Sequence, residues 1–488
     1  MTAVALLLLA GGGHGLLRVT MRRPPSRAFG VAPTMALSVL AGAAVIGVLT
    51  TLCGVTQLST RLWPALFPAM LLLCTIGVLP SRAAKALNVD RHEDSKSMHV
   101  PQRPPIDWLF LAVAAIAAVL LSWGTSAAPV ISNDEYAIWA VRGRALWMMG
   151  RLDPAIFLGA NADFQHLDYP LGVPALISWG DQLAGHVDDG SAHILLISLI
   201  AAMLAVVGWA LNALAGPLAG IGGTLLVAGT PGLLSKWGVL LMADTPQVAF
   251  AVSLVLMLAV WVRRGGGDLL VVAAVMGAGA LATKVEGALF VVAAFAAALA
   301  VAPGGRAARR PVLISFGAAV ASAIPWAVWT HAHHLENDLI NGETLSIDHV
   351  RRVIGYGALA IREIGRYWPG HGWLLVAATA VVCLLAATVP AARGPVGVVI
   401  VAWLLSCVGL WAQYVIAAGR SHFGALGGRE LQAHFASSAS RVLLTPAVLL
   451  MVLLPLAAGL TWAGRRSLVR VRTPEPQLSA PRATSASA

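Results

Sequence analysis

Residues 191–212 read SAHILLISLIAAMLAVVGWALN, a run without a single Lys, Arg, Asp or Glu. Wound as an α-helix at about 1.5 Å per residue, it covers roughly the 30 Å of a bilayer's hydrocarbon core. A segment crossing lipid has to satisfy its own backbone polar groups, and a helix does this internally. Similar apolar runs fall near 2–17, 31–53, 61–80, 107–126, 217–234, 245–262, 268–283, 287–303, 312–330, 371–390, 394–417 and 442–463. The chain therefore reads as an all-α integral membrane protein, a polytopic helical bundle of about thirteen transmembrane helices. The first run is short and Gly-rich and contains His14, which leaves open whether it truly spans.

Composition supports the same class. Of 488 residues, 58% are hydrophobic and only 11% charged, and the mean hydropathy is +0.79. Soluble domains carry about a quarter charged residues. The net charge of +11 would suggest nucleic acid in a soluble protein. Here the cations collect between apolar runs and no basic domain stands outside them, so the expected partner is the lipid bilayer and no nucleic acid. Cys53, Cys74, Cys383 and Cys407 lie in or beside apolar runs without CxxC spacing. They read as small buried residues rather than a disulfide or metal set.

The basic clusters orient the chain. Arg18, Arg22, Arg23 and Arg27 follow the first run; Arg82, Lys85, Arg91, Lys96 and Arg103 follow the third. Arg263 and Arg264, then Arg306, Arg309 and Arg310, then Arg393, then Arg465, Arg466, Arg470 and Arg472 come at alternate turns. All fall on one side if the spans alternate, and the positive-inside rule makes that side the cytoplasm. The resulting organisation is an N-terminal group of spans over 1–80, a polar cytoplasmic linker over 81–106, a transmembrane core over 107–463 and a disordered cytoplasmic tail over 464–488.

The opposite side carries three long loops, about 127–190, 331–370 and 418–441. Long loops between spans are where function concentrates. The first opens with Asp134 and Glu135, then continues through 135–149 with helical periodicity: Ile138, Trp139, Ala145, Leu146 and Met149 share a face. This predicts an amphipathic helix in the membrane interface, with Trp139 and Trp147 in the aromatic belt. Arg142 falls on the apolar face, where it either snorkels or meets an anion. The loop goes on through FQHLDYPLGVP, with His166, Asp168 and Tyr169. Later outer connections read SKWGVLLMADTPQVAF, with Lys236 and Asp244, and ATKVEGALF, with Lys284 and Glu286. Taken singly, Asp134-Glu135 and Asp244 suit helix N-termini as caps, and Lys284 and Glu286 suit a simple ion pair. Several ionisable groups at one membrane surface also suit a hydrated, functional cluster. The HAHH run, His331, His333 and His334, has metal-binding composition but no Cys or spaced acid nearby.

The pieces NDEYAIWAVRGRALW, HLDYPLGVP, MADTPQVAF and TKVEG resemble, in order and sidedness, the C-type glycosyltransferase superfamily, which includes protein mannosyltransferases and the lipid A aminoarabinose transferase. GGRELQAHFASSASRVLLTP is similar to the C-terminal motif of a bacterial subgroup of that superfamily. The resemblance covers about 107–445. It implies a membrane glycosyltransferase of the bacterial plasma membrane with a large first extracytoplasmic loop. Such an enzyme moves a sugar from a polyprenyl-phosphate-linked donor to an extracytoplasmic acceptor in a cell-envelope glycan, lipid or protein. Asp134, the first-loop acid, is the expected general base, with Glu135 beside it and Asp244 as the second-loop acid. Arg142, Arg144, Lys284, Arg420 and Arg441 are the expected phosphate contacts. His166, Asp168, Tyr169, Glu286, His434 and Ser438 complete the expected substrate-binding set. For Arg441 an interface anchor is the alternative. The acidic pair is adjacent, unlike the spaced DxD of nucleotide-sugar enzymes, so a divalent ion (Mg or Mn) shared by Asp134 and Asp244 stays an open alternative. No phosphate-binding P-loop, dinucleotide fingerprint or Ser-His-Asp elbow is present. A transporter or flippase, and a polysaccharide polymerase or ligase, are the rival readings. The first would place charges near the midplane in repeated halves, and the second would use an outer loop rich in Arg and His such as 418–441.

Overall fold

A computed structural model describes residues 1–58, 66–78, 104–125, 130, 134–154, 166–302, 305–335, 346–368, 372–417, 432, 436 and 438–472. The helices are α1 (Thr2–Thr20), α2 (Pro25–Phe29), α3 (Val31–Val55), α4 (Phe67–Val78), α5 (Pro104–Thr125), α6 (Val141–Met149), α7 (Gly172–Ala184) and α8 (Asp189–Ala215). They continue with α9 (Pro217–Ala228), α10 (Asp244–Arg264), α11 (Gly267–Thr283), α12 (Gly287–Val301), α13 (Gly305–Ala321) and α14 (Ile324–Ala332). The last are α15 (Ile347–Val353), α16 (Gly357–Tyr367), α17 (Gly372–Ala387), α18 (Pro390–Ala417) and α19 (Leu444–Arg472). No strand occurs among the described residues.

The thirteen apolar runs are mainly helical over their described residues, with breaks at 229–232, 302, 322–323, 388–389 and 443. Seven helices are individually long and apolar enough to cross a membrane, and α13 with α14 makes an eighth if that pair is one bent span. The bend is 41° and falls just before Pro325, where a proline lacks the donor needed to continue the ladder. The remaining apolar helices, in α4, α9, α11, α12 and α17, are shorter. The molecule is thus a helical membrane protein.

Enclosure differs sharply among the spans. In α10, 94% of the apolar stretch is buried, in α8 83%, and in α5 only 17%. Helices α8 and α10 are therefore the axis of the bundle, and α5 has a lipid-facing flank. Helix α10 starts at DTP, with Pro246 in its first turn, runs through AFAVSLVLMLAVWV and ends at Arg263-Arg264 before Gly265, whose φ is +70°. Proline near the start, cations at the end and a left-handed glycine beyond are the ordinary helix boundaries. Apolar on every side, α10 is suited to full enclosure. It packs on α8, α11, α12, α18 and α19.

The N-terminal helices join the same core. Glycines let α1 and α3 touch backbone to backbone: a Cβ on Gly13 would stand 1.9 Å from the carbonyl oxygen of Ser38, and one on Gly42 1.9 Å from that of Leu9. Small residues bring helices this close in lipid, where dispersion replaces the hydrophobic drive. Helix α3 then packs on α7, α8 and α11.

The two ends of the bundle differ in chemistry. At one end, Arg263 donates to Ala391 O, Arg264 donates to Ala213 O, and the backbone N–H of Arg22 donates to Asp268 Oδ1 at 2.7 Å. This gathers basic residues at the end of α8, the end of α10, the start of α11 and the start of α18. The other end of α10 carries Asp244, and the far end of α11 leads to Lys284.

The segment expected as an interfacial amphipathic helix differs in register and in surroundings. Glu135–Ala140 is a π-helical turn that leads into α6. The widened turn rotates the following residues. Arg142, Gly143 and Leu146 become the buried set of α6, and Met149 is exposed instead of joining the buried face. Helix α6 packs on α7, where a Cβ on Gly143 would meet Ile177 at 2.7 Å. Trp139 is 2% exposed, a core residue and not part of an aromatic belt.

Candidate functional site

Asp244 is the first residue of α10, with Ala243 at the cap position and so no side-chain cap. Its Oδ1 accepts instead from Lys284 Nζ at 3.0 Å. Lys284 leaves α11 with extended backbone, φ −156° and ψ 156°, which carries its side chain across to α10. The same Nζ lies 3.2 Å from Glu286 Oε1 and 5.9 Å from the ring centre of Tyr169. Glu286 precedes α12, again without a side-chain cap. All three residues are buried. Burial opposes the lysine's charge, but Asp244 and Glu286 outweigh it and hold the ammonium above the usual lysine range. A buried cation between two carboxylates is tolerable only because the carboxylates are there.

A second cation closes the cluster. Arg441, just ahead of α19, donates through Nη1 to Asp134 Oδ2 and approaches Met242 Sδ at 3.8 Å. Asp134 stands at the head of the π-turn, also without a cap hydrogen bond. The side chain of Asp134 is 37% exposed and that of Arg441 17%, so this pair forms the accessible edge. Asp244, Gln247, Lys284, Glu286, Phe290, Arg441, Val442 and Thr445 line a small half-open hollow with room for about one water molecule. The segment after α5 and the ends of α10, α11, α12 and α19 thus meet at the end of the bundle opposite Arg263 and Arg264.

The HLDYP stretch walls the site with a tight turn. Tyr169 N–H donates to His166 O at 2.9 Å, and His166 takes a left-handed φ of 45°. The Tyr169 ring stacks between Trp139, at 5.5 Å, and His166, at 4.8 Å. Burial raises the Tyr169 hydroxyl well above the usual tyrosine range, with Glu286 adding to the effect, so the phenol stays neutral. Arg142 holds this turn rather than a ligand. Its Nη2 donates to Tyr169 O at 2.7 Å, it is 1% exposed, and its guanidinium lies 5.9 Å from the Trp326 ring centre. Trp326 Nε1 donates to Asp168 O at 2.9 Å. Burial lowers the Arg142 group to about 10, and the charge of Asp168 acts against that shift. Arg142 therefore does not snorkel; after the π-turn it lies inward against the HLDYP turn.

The other expected residues separate. Glu135 is 1% exposed and points away from Asp134's partner: its Oε1 accepts from Leu241 N at 2.6 Å and lies 3.7 Å from His193 Nε2. It anchors the segment ahead of Asp244 and is not among the residues that line the hollow. Arg144 makes a two-pronged contact with Asp189 at 2.7 and 3.0 Å, outside the cluster. Ser438 lies 2.9 Å from Tyr414 Oη. Arg420 and His434 lie outside the described residues, as do 81–103 of the linker and 473–488 of the tail.

Gln247, Thr445, Tyr414 and His193 were not singled out from the sequence. Gln247 had a readable signal: it follows Asp244 by three positions in MADTPQVAF, hence on the same helix face. It carries no charge, and so drew no notice. Neither its Nε2 nor its Oε1 has a hydrogen-bond partner, although it is 3% exposed. Leaving such a group unsatisfied costs about 1–3 kcal/mol.

A divalent ion fits these residues poorly. Lys284 and Arg441 already occupy the contacts of Asp244 and Asp134 that a shared metal would need. Among the described residues, no group of three or more His, Cys, Asp or Glu side chains is placed to hold one. That includes His331, His333 and His334, of which His333 Nδ1 lies 2.9 Å from Trp329 O.

Against known proteins, the chain matches no family model, no curated protein and no solved structure.

Proposed function

We propose that the chain is a membrane glycosyltransferase that moves a sugar from a polyprenyl-phosphate donor to an acceptor hydroxyl on the extracytoplasmic side of a bacterial plasma membrane. The observation that carries this reading is the joining of Arg441, Asp244, Lys284 and Glu286 around one small half-open hollow, with Asp134 paired to Arg441 beside it. These groups come from four distant stretches and gather at the end of the bundle away from Arg263 and Arg264. By the positive-inside rule that end is extracytoplasmic. In this reading all thirteen apolar runs cross the bilayer, the shorter helices doing so with their flanking turns. The C-type glycosyltransferase resemblance supplies the donor class.

The arrangement supports a specific division of labour. A donor phosphate at the accessible edge competes with Asp134 for Arg441, since guanidinium binds both anions in the same forked geometry. Displaced from its partner, Asp134 becomes a free carboxylate. It takes the proton of the acceptor hydroxyl as that oxygen forms a bond to the anomeric carbon. The bond from the anomeric carbon to the phosphate oxygen breaks, and the electron pair leaves with polyprenyl phosphate. Arg441, supported by Lys284, meets the charge that develops there. Asp244 and Glu286 keep Lys284 in place. The hollow and its one-ended charge favour this over transport, which needs a charged site reachable from both sides.

The test is transfer by the purified full-length protein from undecaprenyl-phosphate sugars, with mass spectrometry for a retained lipid-linked sugar. Transfer or retention that disappears in Arg441→Ala supports the reading. Neither transfer nor retention across mannose, glucose, galactose and arabinose donors would remove it. Accessibility of a C-terminal tag tests sidedness: the tag should be reached only from the cytoplasm.

A further inference from the structure

Helix α16 follows α18 from its hollow-side end to its middle. His349 Nε2, in α15, lies 2.8 Å from Ile416 O near the end of α18. Where α16 begins, Trp411 Nε1 donates to Gly357 O at 3.0 Å. Just past its end, Trp368 meets Trp403 edge to face, with ring centres 6.4 Å apart. Trp403 is the midpoint of Pro390–Ile416, a stretch long and apolar enough to cross a membrane. At about 1.5 Å per residue, it stands roughly 20 Å below Ile416. The opposite end of α18 carries Ala391, whose carbonyl accepts from Arg263. The half that α16 follows is therefore the half on the side of the hollow. Val353, Ala360, Tyr414, Phe290 and Val442 share one apolar cluster there, and Phe290 and Val442 also line the hollow.

One face of α16 looks outward at this depth. Ala358, Ile361, Arg362 and Arg366 recur at helical spacing and all are exposed. On α18, the exposed Leu404 and Val408 share a face with Trp411, which α16 touches. Such a flank in a spanning bundle meets lipid, yet the side chains of Arg362 and Arg366 are 65% and 67% exposed on it. The acid between them turns inward: Glu363 is 1% exposed, with Oε1 3.0 Å from Arg362 Nη2 and Oε2 3.7 Å from Arg366 Nη1. One carboxylate against two guanidinium groups leaves a positive charge in excess. A charge at this depth is costly unless it is paired or carried to the interface. Side chains of a helix lean toward its N-terminus, and the N-terminus of α16 is its hollow-side end. Both arginines therefore lean toward the headgroups of that leaflet, with their stems along apolar surface.

The anion available at that place is a lipid phosphate. Guanidinium takes phosphate in a forked geometry, and Arg362 and Arg366 are one turn apart, on the same side of α16. Ile361, Leu404 and Val408 offer the acyl chains a surface below. A zwitterionic lipid brings its own cation beside the phosphate, whereas an anionic lipid cancels the excess charge. We propose that Arg362 and Arg366 form a docking surface for an anionic phospholipid of the leaflet on the hollow's side. The surface needs only a bilayer and is independent of sugar transfer.

The full-length protein in detergent is titrated with phosphatidylglycerol and with phosphatidylethanolamine of the same acyl chains, and bound lipid is counted by native mass spectrometry. Wild type should hold phosphatidylglycerol roughly tenfold more tightly, the scale of one or two arginines near an anionic headgroup. Arg362→Gln with Arg366→Gln should abolish the preference. Because that pair of changes strands Glu363, a triple variant adds Glu363→Gln and buries no lone charge; it should lose the preference as well. If neither variant folds, wild type is irradiated with phosphatidylglycerol that carries a headgroup diazirine, and crosslinks should include 354–366. Equal affinity of wild type for the two lipids overturns the proposal, as does a preference that survives in the triple variant or crosslinks confined to other segments. Binding of undecaprenyl phosphate that needs Arg362 and Arg366, with no such dependence for phosphatidylglycerol, also overturns it and makes the surface an entry for a lipid-linked donor.

Discussion

Arg441 donates its guanidinium N–H to the carboxylate of Asp134 across 307 positions of sequence. The bond ties the start of the last spanning helix to the segment that follows α5. Asp134 has the position of a helix cap without making a cap hydrogen bond, so its carboxylate is committed to a charge partner at a solvent-reachable edge. The same Arg441 borders the hollow that contains Asp244 and Lys284. A ligand that engages Arg441 therefore changes the state of Asp134 directly.

Replacing either member of this pair separates base from phosphate contact. Asp134→Asn should lower transfer at least about a hundredfold, the range for a lost general base, and hold or raise donor affinity, since Arg441 loses its competing carboxylate. Arg441→Lys keeps the charge and loses the fork, so donor affinity should fall along with turnover. Turnover and donor titrations on both variants check this. Unchanged turnover in Asp134→Asn removes that residue from the mechanism.

Lys284 carries two buried carboxylates, and its loss should show in stability before activity. Lys284→Met takes away the cation that Asp244 and Glu286 share and leaves only Arg441 near Asp244, and breaking a buried ion pair in this way should cost about 3–5 kcal/mol. Adding Asp244→Asn and Glu286→Gln should restore much of it. Thermal unfolding in detergent reads both, and a Lys284→Met protein as stable as wild type would contradict the buried triad.

Asp181 on α7 gives the chain a pH-dependent strain outside the spans. Burial raises its carboxyl to about 6, opposed by the Asp188 N–H that donates to Oδ1 at 2.8 Å. An acid raised on folding binds more protons folded than unfolded between about pH 4 and 6, so stability falls as pH rises through that window. The deficit is complete above it and amounts to about 1–3 kcal/mol. Asp181→Asn keeps the acceptor and drops the charge. It should raise the unfolding temperature at pH 7.5 and lose that advantage below pH 4. An equal difference at both pH values would place the effect elsewhere.

The α1–α3 contact should tolerate no side chain. Gly13→Val would force its Cβ into the Ser38 carbonyl, and overpacking of this kind costs about 1–3 kcal/mol. Gly222, where a Cβ would meet nothing within 4 Å, supplies the control: Gly222→Ala should leave unfolding unchanged. Equal effects of the two substitutions would mean that α1 does not rest on α3 in this way.

Much of the site was readable as a set of suspects. Asp134, Asp244, Lys284, Glu286 and Arg441 stand out because charge beside an apolar run is rare and has to be compensated. The Lys284–Glu286 pair was readable as a local ion pair, but the links of Lys284 to Asp244 and of Arg441 to Asp134 were not, since they join distant stretches. The inward burial of Glu135 and Arg142 was not legible for one local reason: the π-turn at Glu135–Ala140 shifts the helical phase that periodicity assumes. Gln247 escaped because an uncharged side chain near a helix start signals nothing until its burial is known.

The sequence by itself determined the helices and their class, because a chain in lipid must satisfy its backbone within each segment and an unbroken apolar run leaves little else. The tertiary structure alone decided which helix ends meet and which polar atoms are left facing a common space. That depends on contacts between residues hundreds of positions apart, made by glycine-lined helix faces and by single ion pairs, and such contacts leave no periodic trace along the chain.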